Sequence, residues 1–150
     1  MAVTTKAHLP LVSATAFNVS PQAIDDGAGA YGTAVNAGTG DWVLGSSLPK
    51  GRKLLVIVET AGLTGTPTAL KVALFGSATD VNGTAGAEIA STVTEWATPA
   101  GDTVYTTEID LAAVTDLTKY YSLGLTSNGA GTTSVLAGAT ALVLDPVTNG

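Results

Sequence analysis

The chain contains no cysteine, which excludes a disulfide framework and a thiolate metal site and leaves packing and assembly as the sources of stability. Its one histidine, His8, lies beside Leu9-Pro10, with nothing nearby to fix it against an activated hydroxyl and a third orienting group. A zinc site would need mostly carboxylates, an uncommon set for that metal. Charged residues are only 12% of 150, and six basic residues against twelve acidic ones leave a net charge of −6. Such a surface repels phosphate backbones, so direct nucleic-acid binding is not expected. Long apolar runs are missing as well. The longest, Leu54 to Val58, is far short of the roughly 20 residues that span a bilayer as a helix, and a soluble protein is expected. The start, Lys6 then Leu9-Pro10-Leu11-Val12 and small residues to Ala16, imitates a secretory signal only faintly, because Pro10 interrupts a short apolar stretch. No cleavage is expected there.

What is present is 45% hydrophobic residues, enough for one core in a chain of ordinary domain size. Residues 1–40 carry no apolar period, and Asp25 to Gly40 is dominated by Gly, Ala, Asn and Thr. The expected organisation is a Gly/Ala-rich extended N-terminal arm with a first strand over 1–40, a β-sandwich over 41–145, and a C-terminal tail over 146–150. Arm and tail are expected to be held by contacts with the domain or with neighbouring copies, since such segments bury too little to offset their ordering entropy alone.

From Asp41 onward short strands alternate with turn residues, as in an all-β sandwich or barrel. Asp41 to Leu44 reads as a short strand. Lys53 to Thr60 is the strongest strand, and its continuous Leu54 to Val58 suits a central position buried on both faces. Ala69 to Phe75 alternates, with Leu70, Val72 and Leu74 on one face. Glu88 to Trp96, Val104 to Leu111, Lys119 to Thr126 and Ser134 to Leu144 complete about seven strands, with Leu136, Leu142 and Leu144 sharing a side of the last. Leu111 to Leu117 could form one helical turn capped by Asp110, although Val114 and Thr115 disfavour it.

Motifs that carry chemistry are weak. Gly27-Ala28-Gly29-Ala30-Tyr31-Gly32 has the spacing of a dinucleotide fingerprint but no strand–helix context, so it reads as a flexible arm. Glu108 and Asp110, two apart on a strand, point to one face as a glycosidase pair would, and equally as the solvent side of any half-buried strand does. Asp25-Asp26 and Asp80-Val81-Asn82-Gly83 offer oxygen ligands without EF-hand spacing and read as turns. Trp42 and Trp96 could stack on sugar rings, yet aromatics are only 5% of the chain, so burial is expected instead. The sequons Asn18-Val19-Ser20 and Asn82-Gly83-Thr84 matter only in a glycosylating host. No catalytic, cofactor-binding or metal-binding residue is assigned, and no enzyme or cofactor is expected.

The stretch Asp41-Trp42-Val43-Leu44, Leu48-Pro49, Leu54 to Thr60 and Leu70 to Asp80 resembles the small jelly-roll capsid cement proteins of tailed bacteriophages, the family typified by the Bordetella phage cement protein. Ile24-Asp25, Leu54 to Val58 and Gly76-Ser77-Ala78-Thr79-Asp80 stand where that family has its Ile-Asp, its Leu-x-Val-x-Val strand and its Gly-Ser-x-x-Asp. The likeness spans residues 20–145 and departs from the family at Thr64 to Pro67 and Ala97 to Thr103. It implies a jelly-roll that forms a homotrimer on the outer surface of the phage capsid, with the major capsid protein as partner. Contacts would come from Met1 to Gly40, Gly76 to Gly86 and the C-terminal tail. The alternative is a carbohydrate-binding or adhesive β-sandwich module on a virion or cell surface. A sandwich hydrolase using Glu108 and Asp110 is a further rival.

Overall fold

In a computed structural model of the chain, residues 18–36, 53–79, 86–111 and 120–144 are described. They form β1 (Val19–Asp25), β2 (Gly29–Tyr31), β3 (Val35–Asn36), β4 (Lys53–Thr64), β5 (Ala69–Ser77), β6 (Ala87–Glu88), β7 (Thr94–Ala97), β8 (Thr103–Asp110), β9 (Tyr120–Asn128) and β10 (Ser134–Leu144). Two antiparallel sheets pack face to face. One has the order β1-β10-β4-β8; the other runs β2-β9-β5-β6, with β3 also on β9 and β7 also on β5. Since β2 and β3 are two pieces of one edge, and β6 and β7 of another, the described residues give eight strands in the orders 1-8-3-6 and 2-7-4-5. That is a jelly-roll, in which first and last strands lie side by side.

The core forms where the inward sets of the two sheets meet. Leu54, Val56 and Val58 of β4 and Val135, Ala137, Ala139 and Ala141 of β10 face Leu70, Val72 and Leu74 of β5 and Leu123 and Leu125 of β9. The small alanines of β10 make room for the leucines opposite, and each buried Leu or Val contributes about 1.5–3 kcal/mol. β5 and β9 are covered on both faces, since Ala73 and Phe75 of β5 and Ser122 and Gly124 of β9 are buried as well. This corrects the expectation for Lys53 to Thr60. That strand is internal to its sheet, but Leu55 and Ile57 are half-exposed, since no described strand covers the outer face. β10 shows the same inversion: its alanines fill the core, while Leu136 is 42% exposed.

Two boundaries also differ. The sandwich begins well before residue 41, since β1 and β2 place Val19, Ile24 and Ala30 in the core. An edge strand with two inward residues and a register shift between Val19 and Gln22 leaves no visible period. The expected strand from Glu88 to Trp96 is interrupted by a 3-10 turn at Ala90–Thr92. Asp41 to Leu44, the tail 146–150 and nearly all of the proposed turn from Leu111 lie outside the described residues.

The connections at 26–28, 65–68, 98–102 and 129–133 gather at one end of the sandwich, as the pairing of Asp25 with Ser134, Ser134 with Thr64, and Ala69 with Asn128 and Ala97 requires. The ends of β3, β5, β8 and β10 and the start of β1 lie at the other.

Candidate functional site

On its outer side the β1-β10-β4-β8 sheet presents alternate residues of each strand. Leu142 pairs with Leu55, Thr140 with Ile57, and Gly138 with Glu59, which in turn pairs with Val104. Val104 is 61% exposed. Two irregularities break this face, one on each side of β10. β1 slips register between Val19 and Gln22, and the β10–β4 ladder slips between Leu136 and Ala137, opposite Ala61. Gly138 contributes no side chain between them. A groove of about 470 Å³ results, lined by Pro21, Ile57, Glu59, Asp102, Leu136 and Gly138 among others.

Local chemistry fixes the walls. Asn18 Oδ1 accepts a 3.1 Å hydrogen bond from Ala141 N, extending β1's attachment. Thr60 Oγ1 donates to Ala100 O at 2.7 Å and accepts from Thr103 N at 3.1 Å, which ties the 98–102 connection to β4. That connection holds two non-glycine residues in left-handed conformations, Thr98 (φ 47°) and Asp102 (φ 48°). Asp tolerates this region; a β-branched Thr does so at a cost. Among the described residues no basic or aromatic side chain lines the groove, and its hydroxyls, such as those of Ser20 and Thr140, have no neighbouring imidazole. The arrangement suits binding of an apolar group beside a cation.

The residues singled out from the sequence are scattered. Gly27 (φ 70°) makes the β1–β2 turn. Gly29 lies under the Tyr31 ring, whose hydroxyl would collide with any Cβ there, so this glycine pattern serves a turn and a strand. Glu108 and Asp110 share the outer face, where Glu108 Oε2 receives a 2.8 Å ion pair from Lys53 Nζ, both side chains being about half exposed. This carboxylate and neighbouring Asp110 hold the Lys53 ammonium above its ordinary pKa. Asp26 Oδ1 accepts from Gly129 N at 2.8 Å, a turn-closing bond. It and Asp25 border a second hollow of about 300 Å³ with Thr64 and Thr132. Among the described residues no group of three or more potential metal ligands gathers. Half-buried Trp96 stacks on Tyr105, ring centroids 5.0 Å apart, so one of its faces is occupied. His8, Trp42 and Asp80 to Gly83 lie outside the described residues.

No family model, curated protein or solved structure matches this chain. The groove itself escaped sequence reading, although two signals point to it. Pro21 inside a strand marks an edge or a bulge, and Gly138 inside a strand pattern marks a close backbone approach.

Proposed function

We propose that this chain is a structural virion protein, a capsid cement or decoration protein. It binds the outer surface of a phage head as an oligomer, a trimer, and stabilises contacts between major capsid protein subunits. The observation that carries this reading is the outer face of the β1-β10-β4-β8 sheet, which no described element covers. There Leu55, Ile57 and Leu142 are half-exposed beside Leu136 and Val104, on a chain with only 12% charged residues. Exposed aliphatic side chains interspersed with Thr106, Thr140, Glu59 and Glu108 on one sheet face suit an interaction surface. The jelly-roll supplies a rigid frame for it, and the sequence resemblance points to the phage head as its setting. The mechanism is binding alone: each copy bridges shell subunits, and linkage within an oligomer multiplies weak contacts into avidity. Among the described residues no helix is long and apolar enough to cross a membrane.

The test is sedimentation of the purified protein alone and then with expanded, undecorated capsids. A stable trimer that saturates the capsids at a fixed stoichiometry and raises their melting temperature supports the reading. A monomer that ignores capsids sinks it, and a glycan array would follow.

A further inference from the structure

The two register shifts that flank β10 lie close together along it, one opposite Gly138 and one between Leu136 and Ala137, and together they border a groove on an otherwise regular face. We infer that this groove docks an extended segment of a partner protein in which a lysine or arginine stands next to an aliphatic residue. The inference deepens the binding role proposed above and rests on that reading for the partner's identity, the shell protein.

Geometry is the first support. β1's shift carries Ser20 and Pro21 over Gly138, where a Cβ would stand 3.0 Å from Pro21 Cγ and 3.1 Å from its Cα. The second shift lies where β4 passes Ala61, on the opposite side. Bulges of this kind re-aim side chains and recur beside binding sites. Here they border a groove lined largely by apolar atoms.

Charge is the second support. Glu59 and Asp102 both border the groove, and neither carboxylate has an ionic or hydrogen-bond partner among the described residues. The cations of the described strands are engaged elsewhere, Lys53 with Glu108 and Lys71 with Glu95. A lysine or arginine arriving between Glu59 and Asp102 would lay its aliphatic stem on Ile57 and Leu136 while its head meets the carboxylates. The same charge disfavours phosphate groups, and the described lining residues include no aromatic ring on which a sugar would stack.

The test uses the full chain and a synthetic probe, acetyl-Gly-Leu-Lys-Val-Gly-amide, followed by backbone amide shifts. The expected result is shifts confined to the groove strands, at Glu59 and Gly138 above all. Binding should weaken about tenfold when Glu replaces Lys in the probe, or in the double variant Glu59→Gln with Asp102→Asn. The melting temperature of that variant should be unchanged, and its capsid affinity should fall by a similar factor. Equal response to the Lys and Glu probes overturns the inference, as does a double variant that binds like the parent. Capsids that saturate normally with the double variant overturn it while leaving the cement role standing. A Lys-selective groove in a chain that ignores capsids supports the docking site and removes the cement role.

Discussion

Pro21 rests on Gly138, its Cα 3.1 Å from where a Cβ at position 138 would stand. One residue belongs to the first strand and the other to the last, so this contact joins the two ends of the domain and forms one wall of the groove. Gly138→Val should therefore push β1 away from β10. We expect a loss of about 1–3 kcal/mol, as overpacking costs, with faster amide exchange along β1. Gly62→Ala is the control: a Cβ there meets nothing within 4 Å, and stability should change by less than about 0.5 kcal/mol. Urea denaturation of both variants checks the contrast.

Thr92 replaces a missing strand bond. Its Oγ1 accepts from Leu74 N at 2.9 Å and donates to Ile89 O at 2.7 Å across the gap between β6 and β7. Thr92→Val keeps the shape and removes both bonds, leaving a buried N–H unsatisfied at about 1–3 kcal/mol. Thr92→Ser should recover most of the loss.

Gly124 underlies an aromatic pair on the outer side of the second sheet, where Tyr31 and Phe75 meet edge to face with centroids 5.2 Å apart. A Cβ at 124 would collide with Phe75 and stand 2.8 Å from Tyr31 Cδ1. Gly124→Ala should separate the rings, lower stability by about 1–3 kcal/mol and change the near-ultraviolet circular dichroism.

Thr98 is a β-branched residue at φ 47°. Thr98→Gly or Thr98→Asn should relieve the strain and raise stability by about 1 kcal/mol, visible as a higher melting temperature. If stability falls instead, the Thr98 side chain makes a contact that outweighs its backbone strain.

Alkaline pH should destabilise the fold. Burial, then the nearby Glu88 charge, raises the Tyr31 phenol above 10.0, and Glu108 raises the Lys53 ammonium above 10.5. Both folded pKa values exceed the unfolded ones, so their stabilisation is complete below the ordinary values and disappears as pH rises through the raised ones. Melting temperature measured from pH 8 upward should fall beyond about pH 10, and less steeply in Tyr31→Phe. The exposed Lys53 pair should contribute little to the slope.

Much of the sandwich was legible because strands report their own faces. Leu70, Val72 and Leu74 alternate in sequence and are fully buried, as do Tyr121, Leu123 and Leu125. The pattern misled where composition and position conflict. Leu54 to Val58 reads as buried on both sides, but nothing among the described strands covers Leu55 and Ile57. In β10 the smaller residues took the core because the facing leucines had filled the space. The candidate site was less legible still. Pro21, Glu59, Asp102 and Gly138 come from four separate segments, and none forms a motif with its sequence neighbours.

The amino-acid sequence by itself determined that the chain is β-rich, that it has no thiol chemistry and a single imidazole, and that its surface is acidic and sparsely charged. These follow from composition and from local alternation, which depend on near neighbours alone. Only the tertiary structure decided that β1 lies beside β10, that two bulges flank β10 near Gly138, and that Glu59 and Asp102 share a groove. Those outcomes depend on pairing between strands far apart in the chain, where register is chosen by the packing of the whole sandwich.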